Sequence, residues 1–280
     1  MKVYPFKIPK PELDALIFQE DMDSAFYDQL HEHEEIQISI IIEGQGTLIV
    51  GDTVNDYKKD DVLIIGSRLP HVFKSDLISQ NSSHMLTLFF TKNSFGSQFF
   101  ALEELKELRS FFKRSKQGFK LLSHKKQTKD HFLKLKNASK LTRFILLLEL
   151  LQLTTKANFK SLSSFIYDKK YTDNEGYRMR SVFEYTMNHF KTDISLDAIS
   201  EVANMTKNAF CKYFKKRTNK TYVQFLNELR VEHASKLLLN HFDLTIIEIA
   251  EISGFNNISN FNRTFKSIKS MNPSSFRKKV

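Results

Sequence analysis

Ser195-Leu-Asp-Ala-Ile-Ser-Glu-Val-Ala-Asn-Met205 and Thr245-Ile-Ile-Glu-Ile-Ala-Glu-Ile-Ser-Gly-Phe255 are two copies of one message, 50 residues apart. Ser195 pairs with Thr245, Leu196 with Ile246, Ile199 with Ile249, and Ser200 with Ala250. Glu201 pairs with Glu251, Val202 with Ile252, and Asn204 with Gly254. One extra residue in the second copy then moves the offset to 51, so that Phe210, Phe214 and Lys215 match Phe261, Phe265 and Lys266.

Each copy reads as a pair of helices. Ser195 and Thr245 are side-chain caps for the free N–H groups of a first turn. Leu196, Ile199 and Val202 follow at helical spacing. Ser200 and Ala250 are small where a second helix comes close. Asn204 and Gly254 end the first helix, both being types that tolerate the left-handed backbone. Thr206, or Asn256-Asn257, opens the next helix, which buries Phe210 and Phe214, or Phe261 and Phe265, at i and i+4. Two helices joined by so tight a turn make a helix-turn-helix, whose second helix fits the major groove of DNA. Between the copies, Tyr222, Phe225, Leu226, Leu229 and Leu237 predict a single helix from Tyr222 to Leu239. Such a rod is about 27 Å long, and it suits two reading heads set about one turn of duplex apart.

The charge distribution agrees. The 280 residues carry a net +10, but residues 1–95 hold −7, residues 96–177 hold +9 and residues 178–280 hold +8. A basic back suits a polyanion and an acidic front a different task. Cys211 is the one cysteine, which excludes an intramolecular disulfide and fits a reducing cytosol. No signal-peptide core is visible at the N-terminus, and the apolar stretch Phe144 to Leu153 is half a membrane span and contains Glu149. A cytoplasmic protein with no membrane partner is expected.

Residues from about Tyr177 onward resemble the AraC/XylS family of bacterial transcription regulators. The resemblance rests on Ile249-Ala250 through Gly254-Phe255, on Phe261-Asn-Arg-Thr-Phe265-Lys266, and on the ending Asn272-Pro273-Ser-Ser-Phe276-Arg277. Arg230 and Ala234 also match family positions, whereas Asn204 and Ser200 stand where the family usually has Gly and Ala. The resemblance implies that Lys207, Asn208, Cys211 and Lys212 face bases from the first recognition helix. Ile258, Ser259, Asn260, Asn262 and Arg263 would do so from the second. Arg and Lys suit guanine and Asn suits adenine, while Lys215, Lys216 and Lys266 are expected on phosphates.

In the front half, Ile36, Ile38, Ile40 and Ile42 alternate with Gln37, Ser39 and Ile41. Glu43-Gly44-Gln-Gly46 turns the chain into a strand from Thr47 to Val50, and Gly51-Asp52 turns it again. Val62 to Ile65 and Leu86 to Phe90 are further strands. The expected fold is α+β, with an N-terminal barrel or jelly roll followed by helices and an all-α C-terminal domain. His31-Glu-His33, Gln37 and Pro70-His71 resemble the cupin pattern, in which two His, one Glu and a distant His bind a metal. Here the acidic position aligns with Gln37, a poorer ligand, with Glu34 or Glu35 as possible substitutes. His-x-His on a strand puts both rings on one face. The reading adopted from sequence is a metal-free ligand pocket of His31, His33, Gln37 and His71, with no metal and no cofactor assigned.

The predicted boundaries are a cupin-like sensor over 1–95, a helical extension over 96–164, a linker over 165–176 and a DNA-binding domain over 177–280. Leu102, Leu105 and Leu108 begin one helical stripe in the extension. Leu141, Phe144, Ile145, Leu148 and Leu151 make another. These helices either cover the sheet or pair across a dimer two-fold, and the family resemblance favours a homodimer. The expected partners are double-stranded DNA, a small-molecule effector and, for an activator, RNA polymerase. The chain lacks a Ser-His-Asp arrangement, a phosphate-binding Gly loop and a Cys cluster, so it is read as no enzyme. The alternative is a metal-dependent cupin enzyme with a basic helical tail.

Overall fold

The computed structural model describes residues 14–76, 82–166 and 173–278. The chain forms two compact units, one within residues 3–171 and the other within 172–280.

The first unit contains β1 (Ile17–Asp23), β2 (Ile36–Glu43), β3 (Gly46–Val50), β4 (Thr53–Tyr57), β5 (Val62–Ile65), β6 (His71–Ser75) and β7 (Ser83–Phe90). Two 3-10 turns over residues 99–108 lead to α1 (Arg109–Ser115), β8 (Phe119–Leu121), α2 (Lys125–Leu135), α3 (Lys140–Lys156) and β9 (Phe159–Ser161). One antiparallel sheet runs β1-β7-β2-β5-β8-β9 and a second runs β4-β3-β6. The two ladders remain separate, and no closed barrel is seen among the described residues.

Strand alternation explains the layers. Ile36, Ile38, Ile40, Val62, Ile64, Leu86, Leu88 and Phe90 put one face of the larger sheet against Phe111 of α1, Phe132 and Leu135 of α2, and Leu147, Leu150 and Leu151 of α3. Ile41, Leu63, Ile65 and Met85 on the other face meet Leu48, Val50, Tyr57 and Phe73 of the smaller sheet. Both faces of β2 are therefore covered, and its polar residues Gln37 and Ser39 are only 3% and 0% exposed.

Residues 96–164 are thus part of this unit: α1 to α3 cover the sheet, and β8 and β9 extend it. The two leucine stripes are redrawn. Leu102 is exposed, Leu105 half-buried and Leu108 buried, on 3-10 turns whose threefold repeat differs from the helical one. In α3 the buried face is Leu146, Leu147, Leu150 and Leu151, while Leu141 is 68% exposed and Ile145 also lies open. A helix leucine-rich on all sides carries no periodic signal to say which side turns inward.

The second unit is helical: α4 (Asp173–His189), α5 (Leu196–Val202), α6 (Lys207–Thr218), α7 (Tyr222–Asn240), α8 (Ile246–Ile252), α9 (Ile258–Lys269) and α10 (Pro273–Arg277). α4 begins inside the segment read as linker, of which residues 167–172 lie outside the described residues. Phe183, Phe210, Phe214, Tyr222 and Phe225 stack into the core of the first repeat. Val231, Ala234, Leu238, Ile249, Ala250, Phe255, Phe261 and Phe265 form the core of the second. The first half of α7 serves one core and its second half the other.

Candidate nucleic-acid interface and histidine pocket

The caps are where the repeat predicts them. The Ser195 hydroxyl accepts from the Ala198 N–H, and Thr245 forms a reciprocal capping box with Glu248. Accepting the backbone and side-chain hydrogen bonds of Thr245 lowers the Glu248 pKa. Thr206 caps α6 through the Ala209 N–H, and Asn257 caps α9 through the N–H groups of Ser259 and Asn260. The turns between paired helices pass through Asn204 at φ 50° and Gly254 at φ 89°. At Gly254 space is also short: a Cβ there would lie 2.6 Å from the Phe190 carbonyl oxygen and 2.8 Å from Arg230 Nε. Arg230 Nε donates to that same carbonyl at 2.8 Å, and its Nη2 donates to the Thr192 carbonyl at 2.7 Å. Arg230 thereby fastens α7 to the residues that follow α4, and the turn of the second copy lies close against that junction.

These turns leave one face of each second helix in solvent. On α6, Lys207, Asn208, Cys211 and Lys212 are exposed, as are Lys215 and Lys216. Lys207 Nζ lies 2.8 Å from Asp197 on α5. On α9, Ser259, Asn260, Asn262, Arg263 and Lys266 are exposed, and Arg263 donates to Asn260 Oδ1 at 3.1 Å. Ile258 differs from its neighbours: it is half-buried and packs against the core of the second repeat. Behind these faces, Phe210, Phe214, Phe261 and Phe265 are fully buried. His233 of α7 sits against the buried Ser253, its Nδ1 3.1 Å from the hydroxyl. Burial, then Lys191 and Lys236, push its pKa down to about 4.

The four pocket residues read from sequence come together in the first unit. They line a cavity of about 660 Å³ with Phe73, Met85 and Phe89. His31 and His71 exchange backbone hydrogen bonds of 3.1 and 2.9 Å, a bridge that sets the two residues opposite each other. Opposed residues of an antiparallel pair share a face. His33 is not on the strand expected for it: it lies in irregular chain ahead of β2, and its ring nonetheless comes within 5.0 Å of that of His71. His33 and His71 are buried, and the ring nitrogens offered by all three lie within 4.8 Å of one another. A hydrogen-bond chain continues inward. His33 Nε2 is 3.2 Å from Gln37 Oε1, Gln37 Nε2 donates to Ser39 at 2.8 Å, and Ser39 meets Thr87 at 2.8 Å. Ser39 was legible as the same-face neighbour of Gln37, whereas Thr87 comes from a distant strand. Glu34, a substitute ligand in the sequence reading, instead pairs with Arg68 at 3.3 Å, and Glu35 offers His33 only its backbone carbonyl. Burial, reinforced by the neighbouring imidazoles, holds His71 well below the usual histidine range, and burial lowers His33 too. His71 is therefore neutral at pH 7.

No helix of the described residues is long and apolar enough to cross a membrane. Residues 199–279 match a family described as a helix-turn-helix domain. An uncharacterised HTH-type transcriptional regulator of Bacillus subtilis is 29% identical over 104 residues, 37% of this chain and 35% of that protein. A second, from Staphylococcus aureus, is 35% identical over 100 residues, 36% of this chain and 13% of that protein. The chain therefore matches about a third of the first relative's length and much less of the second's. Among solved structures, the C-terminal domain of AraT, a response regulator from Geobacillus stearothermophilus, is 27% identical with a TM-score of 0.35, over 37% of this chain and 85% of that one. The match begins inside α5 and takes in α6, α7, α8, α9 and α10, so this part of the chain is similar in sequence to a helix-turn-helix domain.

Proposed function

We propose that the chain is a transcription regulator of the AraC/XylS type that binds double-stranded DNA sequence-specifically. The observation that carries this reading is the pairing of α6 and α9, two polar and basic faces presented by two copies of one helix pair on a shared α7. Lys207, Asn208, Cys211 and Lys212 of α6, with Ser259, Asn260, Asn262 and Arg263 of α9, face base edges. Lys215, Lys216 and Lys266 hold phosphates. Half-buried Ile258 offers at most an apolar contact, suited to a thymine methyl. The N-terminal unit, with its acidic front and its cavity, is the sensor of a small-molecule effector. The protein acts in the cytoplasm as a homodimer and, if it activates, engages RNA polymerase.

The test is footprinting of the full chain across the genome, followed by binding to the recovered duplexes at several salt concentrations. The expected result is specific binding at least about a thousandfold tighter than binding to random duplex, with affinity falling steeply as salt rises. Equal affinity for recovered and random duplexes at every salt concentration overturns the reading.

A further inference from the structure

The cavity of the N-terminal unit carries one sign of charge. Glu20, Asp21, Asp23 and Asp28 line it, and no lysine or arginine is among its described lining residues. These carboxylates differ in what they already hold. In the register of β1, β7 and β2, Glu20 lies beside Leu86 and Ile40, on the sheet face that meets the helices. It pairs with Lys136 at 2.8 Å, and Asp28 pairs with Lys74 at 3.1 Å. Asp21 belongs to the next row, with Met85 and Ile41, on the face that meets the smaller sheet. Its carboxylate accepts from Gln19 Nε2 at 2.6 Å and pairs with no cation among the described residues. Burial, opposed by that one hydrogen bond, raises its pKa. A half-buried carboxylate without a counter-ion is a seat for one.

The histidine end offers an acceptor. His71 gives its Nδ1 proton to the Leu69 carbonyl at 2.8 Å. A carbonyl can only accept, so the neutral ring keeps a lone pair at Nε2. That nitrogen is buried without a hydrogen-bond partner, and such an atom calls for a donor. Between the two ends, Phe73, Met85 and Phe89 are buried and line the same cavity. The ends are well separated. Asp21 stands four residues along β1 from Ile17, whose row across β7 and β2 ends on Gln37 beside the histidines, about 13 Å of strand.

We propose that the effector is an elongated organic cation: a primary ammonium held by Asp21, an apolar body against Phe73, Met85 and Phe89, and a hydroxyl or N–H donor at the far end given to His71 Nε2. This rests on the reading of the N-terminal unit as a sensor and names the chemistry that it senses. An anion of the same shape would meet Asp21 with no cation to offset it. Exposed Asp23, on the same face as Asp21, adds to the attraction.

The experiment is calorimetry on the full chain with tyramine as the probe. Three relatives of similar shape are compared with it: 3-(4-hydroxyphenyl)propionate, an anion; tyrosol, which is neutral; and 2-phenylethylamine, which lacks the hydroxyl. One tyramine per chain is expected, with tyrosol and 2-phenylethylamine each at least about tenfold weaker and the anion weakest. Asp21→Asn should weaken tyramine by about 10–100-fold and leave tyrosol unchanged. Glu20→Gln, the same loss of charge on the other face of β1, should change neither. Absence of tyramine binding at millimolar concentration, an anion that binds as well as tyramine, or an Asp21→Asn protein of unchanged affinity overturns the proposal. Equal binding of tyramine and 2-phenylethylamine overturns the placement of a donor at His71. None of these measurements contains DNA, so they leave the regulator reading untouched. That reading fails separately, if saturating tyramine binds as expected yet leaves the affinity for the footprinted duplexes unchanged.

Discussion

The two helix pairs of the C-terminal unit share a plan and differ in chemistry. α6 offers four lysines, Lys207, Lys212, Lys215 and Lys216, whereas α9 offers Ser259, Asn260 and Asn262 with Arg263 and Lys266. The buried sides are almost interchangeable, each with two phenylalanines one turn apart. Packing thus fixes the shape twice, and the surface is free to divide the labour. On the proposed duplex α6 is the stronger anchor for phosphates and α9 the finer reader of bases.

That contrast can be broken in several ways. The largest effect is expected from the shared interior: Phe210→Ala and Phe261→Ala should each cost about 3–5 kcal/mol in urea unfolding, because both rings are fully enclosed. Very unequal costs would mean that one repeat is only a loose copy. Next come the turns. Gly254→Ala forces a Cβ against the Phe190 carbonyl at positive φ and should cost about 2–3 kcal/mol, whereas Asn204→Ala should cost about 1 kcal/mol. The reverse order would remove the difference drawn between the two turns. On DNA, Arg263→Ala should lose about 1–3 kcal/mol on the specific site alone. Lys216→Ala should weaken binding to every sequence and lower the salt slope by about one. Identical behaviour of these two proteins would abolish the division of labour.

The effect that vanishes at neutral pH concerns His233, which belongs to the second repeat and has no counterpart in the first. Its folded pKa of about 4 lies below the unfolded value near 6.5, so the unfolded chain binds more protons between these limits. Stability is therefore full above about pH 6.5 and declines as pH falls toward 4. A His233→Gln protein should show a flatter urea midpoint over that window, and equal slopes would place the acid sensitivity elsewhere.

The repeats were legible because their signals are local: a capping hydroxyl, a left-handed turn residue and two rings at i and i+4. β2, β3, β5 and β7 were legible from apolar runs and Gly turns. β8 and β9, three residues each, were not, since pairing with distant strands rather than composition makes them strands. The inward face of α3 was hidden by leucines on every side. At the pocket, the His31–His33 spacing was read as one face of a strand, whereas these residues precede β2 in irregular chain, and His71 joined them only through the cupin resemblance. Gln37 argued against an ion in the sequence.

The single rod beneath both heads also limits how this module can change. α7 walls both cores, so cutting the chain after Asn240 would strip cover from Val231, Ala234 and Leu238 and leave a sticky stump instead of a smaller reader. On the proposed duplex the two heads would keep a fixed phase. Two base pairs added between their sub-sites would swing one groove about 70° around the axis at 10–10.5 base pairs per turn, and a continuous helix has no joint with which to follow.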